Sequence, residues 1–245
     1  MPHSETSAGH DPRVLAHSSR VLDALTTLQQ KQRDRRAFLR RSLTAAVAAP
    51  VAVMAASGKT EANDNFLPSL YRGENAAEFE AIQGDENDHV TFLVEALGAA
   101  ARPKPSFVSL AQPNLVAFAT VSKALENTGV GAYLGAAPII YNKDYLAAAG
   151  SILTVEARHA GYLNVLLDLD LGTNVYGNPQ SFDMPLTQQD VVALAGPFIT
   201  GLNGGPPLSF STTPSAENDI AILNFALALE YLESTFYNIN VPLFT

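Results

Sequence analysis

Past residue 17 the chain has only two histidines, His89 and His159, and each follows a glutamate by three positions, in Glu86-Asn-Asp-His89 and Glu156-Ala-Arg-His159. A helix sets i and i+3 on one face, so each pair offers a carboxylate and an imidazole to one cation. Eleven glutamates lie between residue 57 and residue 245. With that number, both histidines would gain a glutamate at i−3 by accident only on the order of a few times in a thousand. Two such pairs, joined by one glutamate from each of two further helices, make the ligand set of a carboxylate-bridged dinuclear metal site inside a four-helix bundle.

The elements that must carry these residues are legible as apolar stripes. Residues 75–97 put Phe79, Ile82, Glu86, His89, Leu93 and Leu97 on one helical face, with Gly98 as the stop. Residues 114–127 present Leu115, Phe118, Ser122 and Glu126, and Gly129 and Gly131 are expected to weaken any continuation toward Tyr133. Residues 143–169 present Ala149, Ile152, Glu156, His159, Leu163 and Leu166. A last helix, 215–239, is entered through Pro214 with Ser215 as its cap, and bears Ile222 or Leu223, Ala226 or Leu227, Glu230 and Tyr237. Before it, residues 170–214 are rich in Gly, Pro, Asn, Ser and Thr. They read as a long crossover with one short helix, 187–202, interrupted at Gly196-Pro197. Only short pieces such as 208–212 alternate as a strand would. The expected fold is all-α: a four-helix bundle with a short extra helix and a long loop before the last helix.

The polar residues centred in these stripes are Glu86, His89, Glu126, Glu156, His159 and Glu230. Four carboxylates offset the four positive charges of two divalent ions in a low-dielectric core, and neutral imidazoles complete coordination without adding charge. Duller roles stay open. Satisfied polar groups in a core would explain the two Glu-x-x-His pairs, and a solvated glutamate in a last helical turn would explain Glu126. Glu233, one turn beyond Glu230, competes with it as ligand or as a neighbouring acceptor. Tyr133 and Tyr237 each lie seven residues after a single glutamate, Glu126 and Glu230, which gives the bundle the look of an internal duplication. They are either hydrogen-bonding or redox-active neighbours of the metals, or core tyrosines with satisfied hydroxyls. Asp85, Asp88, Glu95 and Arg158 fall on other faces and read as surface groups, with Arg158 or Asp88 placed to orient ligands.

Composition narrows the chemistry. With no cysteine, disulfides, thiolate catalysis and iron–sulfur clusters are excluded, and His and carboxylate remain as the strong ligands. Residues 1–56 hold eight Lys/Arg against four Asp/Glu, whereas residues 57–245 hold seven against twenty, a balance of 7 − 20 = −13. Such a body repels phosphate backbones, so nucleic acid is not an expected partner. The basic stretch with Arg35, Arg36, Phe38 and Leu39, followed by an alanine-rich apolar run, resembles a twin-arginine export signal. The other reading of that stretch is a basic amphipathic helix. The expected organisation is an N-terminal extension of unassigned role (1–33), a signal segment (34–56), a linker (57–73) and the bundle (74–245). No membrane span is expected in the mature chain, and the location is periplasmic or extracellular.

Over about residues 74–240 the chain resembles ferritin-like domain proteins of the desiccation-related group, within the ferritin and rubrerythrin superfamily. The resemblance rests on Asp85-Glu86-Asn87-Asp88-His89 and its sequel to Leu93, and on the run from Ala124 through Glu126 and Tyr133 to Ala137. Val155-Glu156-Ala157-Arg158-His159-Ala160 and the run from Ile222 to Glu233 complete it. It implies that Glu86, His89, Glu126, Glu156, His159 and Glu230 bind two divalent metal ions, iron or alternatively manganese. The family does not fix a reaction; oxygen or peroxide is the expected reactant of such a centre, and a homodimer is the assembly considered. The segment that usually opens the family's bundle here comes last, so the helix order is expected to be circularly permuted. Two rival functions are a non-catalytic stress-protection bundle and, less well matched for want of a third zinc ligand, a hydrolase using one Glu-x-x-His.

Overall fold

The computed structural model describes residues 75–244; the extension, the signal segment and the linker lie outside the described residues. Four long helices dominate it: α1 (Asn75–Leu97), α2 (Leu115–Ala136), α3 (Lys143–Leu166) and α5 (Ala216–Phe244), with the short α4 (Gln188–Ala195) between the last two. The fold is an all-α bundle, as expected. None of the described helices is long and apolar enough to cross a membrane.

Two apolar layers sandwich a polar one. Phe79 and Ile82 of α1, Phe118 of α2, Leu163 of α3 and Phe236 of α5 belong to one layer. Leu93 and Leu97 of α1, Ala136 of α2, Ile152 of α3 and Leu223 and Leu227 of α5 belong to the other. Their order along the chain makes α1 and α2 run in one sense and α3 and α5 in the opposite one. The Glu and His residues fall between the layers on every helix, as stripe positions at the same height must. Helix α2 packs along α3 and α1 along α5, and α2 also meets α5.

Local chemistry sets the ends. Asn114 caps α2 by accepting from the Ala117 N–H at 2.8 Å, Asn142 caps α3, and Ser215 Oγ accepts from the Asn218 N–H at 3.1 Å. Thr187 and Asp190 form a reciprocal capping box on α4. Gly98 takes a positive φ of 55° after α1, leading into a 3-10 turn.

Several boundaries differ from those expected. Helix α2 does not weaken at Gly129 but runs through to Ala136. A glycine in a helix costs about 1 kcal/mol against alanine, yet a Cβ on Gly129 would stand 2.5 Å from Glu156 Oε2, and one on Gly131 would collide with Leu186. Close approach across the bundle therefore outweighs local propensity. Helix α3 stops at Leu166, where Asp168 adopts a positive φ of 60°. The short helix ends at Ala195, and Gly196-Pro197 begins a 3-10 turn. Helix α5 extends past Ile239 through Pro242 to Phe244, held by Asn240 donating to Leu110 O at 2.9 Å and by Phe244 stacked on Phe118. The stretch 208–212 is not a strand. Instead β1 (Ser106–Phe107) pairs antiparallel with β2 (Ile199–Gly201), tying the α1–α2 connection to the α4–α5 connection.

Candidate metal centre

Each of the four long helices sends carboxylates or imidazoles into the polar layer. Glu86, Glu126, Glu156 and Glu230 are each 0% exposed, and His89 and His159 are buried beside them. Glu126 is thus a mid-helix core residue of α2, not a solvated group of a last turn. These side chains fall into two groups whose ligand atoms lie within 4.8 Å of one another: Glu86, Glu126, Glu156 and His159, and Glu86, His89, Glu156 and Glu230. Glu86 and Glu156 are common to both. Glu233 is buried but stands in neither group.

Both imidazoles face the layer through Nδ1. His89 Nδ1 is 3.2 Å from an oxygen of each of Glu86, Glu156 and Glu230. His159 Nδ1 is 3.0 Å from Glu86 Oε1 and from Glu126 Oε2. One N–H cannot serve three acceptors, and accordingly Glu86 Oε1, both oxygens of Glu156 and Glu230 Oε2 have no hydrogen-bond partner among the described residues. Orphaned buried carboxylate oxygens converging with a nitrogen lone pair are what a divalent cation satisfies. The residues present are of the kind that could hold metal ions.

Other groups steady the six. His159 Nε2 lies 3.3 Å from Asp85 Oδ2, which fixes the ring with Nδ1 inward. Asp85 was expected at the surface and is in part exposed there, but its carboxylate turns to α3. Glu95 and Arg158 are exposed, as their faces foretold, and Asp88 is half-buried. Tyr133 donates to Glu230 Oε1 and Tyr237 to Glu126 Oε1, each at 2.5 Å. Each tyrosine thus serves the glutamate of the opposite helix.

Burial pushes the carboxyls of Glu86, Glu156 and Glu233 above the usual carboxylate range, and neighbouring glutamates add to the shift. For His89, burial alone would lower the basicity, but Glu230 and Glu86 outweigh it and hold the ring well above the ordinary imidazole value. His159 is raised likewise, burial being overcome by Glu126 and Asp85. Burial, with the charge of Glu230 or Glu126, keeps the Tyr133 and Tyr237 phenols protonated. Without a cation the layer therefore retains protons in its place.

Fold and site together are those of an all-α helical protein with buried Glu/His groups that could hold metal ions. The family model described as a ferritin-like domain matches residues 54–169, which takes in α1, α2 and α3 and leaves α5 outside. No curated protein and no solved structure matches the chain.

Three features of the site escaped the sequence. The Asp85–His159 contact joins two helices and has no periodicity of its own; the only hint is that Asp85 adjoins Glu86. The crossed Tyr–Glu pairs needed helix directions. The role of Gly129 needed the position of Glu156.

Proposed function

We propose that this chain is an exported, ferritin-like protein that binds two divalent cations, iron or manganese, through Glu86, His89, Glu126, Glu156, His159 and Glu230, for chemistry with oxygen or peroxide. The observation that carries the reading is that the two ligand groups share Glu86 and Glu156 and no other member. Two shared carboxylates between two otherwise separate sets suit bridging of a pair. Glu126 with His159 would then serve one ion and Glu230 with His89 the other. A bound pair of redox-active ions supplies electrons to an oxidant.

The rest of the work falls to the chain. Tyr133 and Tyr237 keep their protons and hold one oxygen of Glu230 and of Glu126, leaving the second oxygen of each free for the centre. Asp85 orients His159, and the apolar layers on either side keep bulk water out. The permuted helix order rests on the run from Ile222 to Glu233, which closes this chain and resembles the segment that usually opens the family's bundle. Export is supported by the basic and alanine-rich segment 34–56.

The test is metal content of the exported protein by elemental analysis, with circular dichroism to follow the fold. The reading expects two ions per chain, and loss of both in Glu86→Ala and in Glu156→Ala with helicity retained. Unchanged metal content in both variants would instead favour a non-catalytic, stress-protecting bundle.

A further inference from the structure

A small apolar cleft of about 20 Å³ opens between α2 and α5 beside the centre. Four alanines leave the space: Ala132 and Ala136 of α2, Ala149 of α3 and Ala226 of α5. Phe210, from the α4–α5 connection, lines it as well. That ring is held in place, since the Phe210 N–H donates to Gln188 Oε1 at 2.7 Å and its carbonyl accepts from Gln188 Nε2 at 2.8 Å. It also packs edge-on against Phe225, with centroids 5.2 Å apart.

Among the described residues Tyr133 contributes the only polar side chain of the lining, and its hydroxyl already donates to Glu230. A polar guest would lose its hydrogen bonds to water and find no replacement, at a cost of several kcal/mol. An uncharged apolar guest loses little. The same tyrosine touches both the cleft and a carboxylate of the centre, so a guest seated there is one side chain away from Glu230.

We propose that the cleft binds a small apolar molecule, dioxygen, and delivers it past Tyr133 to the centre, so that dioxygen and not peroxide uses this entrance. The delivery rests on the metal-binding reading above; the binding does not. Peroxide, which needs hydrogen-bond partners, would have to arrive by another way.

Xenon is the probe for binding, followed by xenon NMR on the metal-free full chain. The native protein is expected to bind it, Ala226→Leu and Ala136→Leu to bind it less, and Phe210→Ala, which enlarges the space, to bind it at least as well. Ala226 is half-buried, so its leucine variant is the safer of the two should Ala136→Leu misfold. In chain loaded with ferrous iron, Ala226→Leu should slow oxidation by dioxygen about tenfold while changing oxidation by peroxide less than about twofold. Identical xenon signals in native and filled variants would overturn the binding, and equal slowing with both oxidants, or none, would overturn the delivery. A chain that takes up no iron would refute the metal-binding reading and with it the delivery, leaving xenon to decide the cleft by itself.

Discussion

Tyr237 on α5 hydrogen-bonds to Glu126 on α2, and Tyr133 on α2 hydrogen-bonds to Glu230 on α5, both at 2.5 Å. The exchange follows from geometry. Seven residues advance a helix by about 10.5 Å, too far for a phenol to reach the glutamate of its own helix. Because α2 and α5 run in opposite senses, each tyrosine comes level with the other's glutamate. The sequence spacing was regular for this reason, although it named no partner across the bundle.

Replacing either tyrosine by phenylalanine removes the donor from a buried carboxylate oxygen. Tyr133→Phe and Tyr237→Phe should each lower stability by about 1–3 kcal/mol. Each should weaken metal binding by about 10–100-fold, as read by competition titration against a chelator. Unaltered affinity in both would reduce these side chains to packing.

The shared and unshared glutamates should separate by stoichiometry. Glu156→Ala is expected to lose both ions and Glu126→Ala or Glu230→Ala only one, because Glu156 belongs to both ligand groups and the others to one each. Elemental analysis counts the ions. Equal loss from all three variants would contradict two groups with common members.

Gly129→Ala tests the close approach of α2 to Glu156. Alanine favours the helix by about 1 kcal/mol, but its Cβ would meet Glu156 Oε2 at 2.5 Å and push that carboxylate aside. Metal affinity should fall while the melting temperature of the metal-free chain changes little. If calorimetry and titration show affinity unchanged, Glu156 has room that the structure does not give it.

Stability should depend on pH in opposite ways with and without metal. The folded, metal-free chain holds Glu86, Glu156 and Glu233 above the carboxylate range, and His89 and His159 above the imidazole range. It therefore binds more protons than the unfolded chain, and its stability is full below the unfolded values and falls as pH rises toward the folded ones. Cations displace those protons, so their binding tightens over the same window. The gap in melting temperature between loaded and metal-free protein should widen from about pH 5 to about pH 8; a gap that stays constant would show that protons and metal do not compete there.

Much of this arrangement could be read from the residues alone, because stripes of period 3.6 with Glu and His in their centres are local facts. Glu86, His89, Glu156 and His159 share faces by spacing, and burial follows from the apolar residues on either side. Helix ends were less legible where distant contacts decide them. Gly129 and Gly131 looked like interruptions until Glu156 and Leu186 filled the space beside them, and the last helix, expected to end at residue 239, runs on through Pro242 because Asn240 and Phe244 anchor its last turn. The β1–β2 pair joins segments more than ninety residues apart, and two or three residues each carry too little alternation to announce it.

The pairing of α1 with α5 also orders events in time. Glu86 and His89 emerge from the ribosome well over a hundred residues ahead of Glu230 and Tyr237, and α1 cannot cover its apolar stripe until α5 arrives. Contacts so far apart in sequence form slowly. A chain without α5 lacks Glu230, one of the four members of one ligand group, so filling of that group must await complete translation.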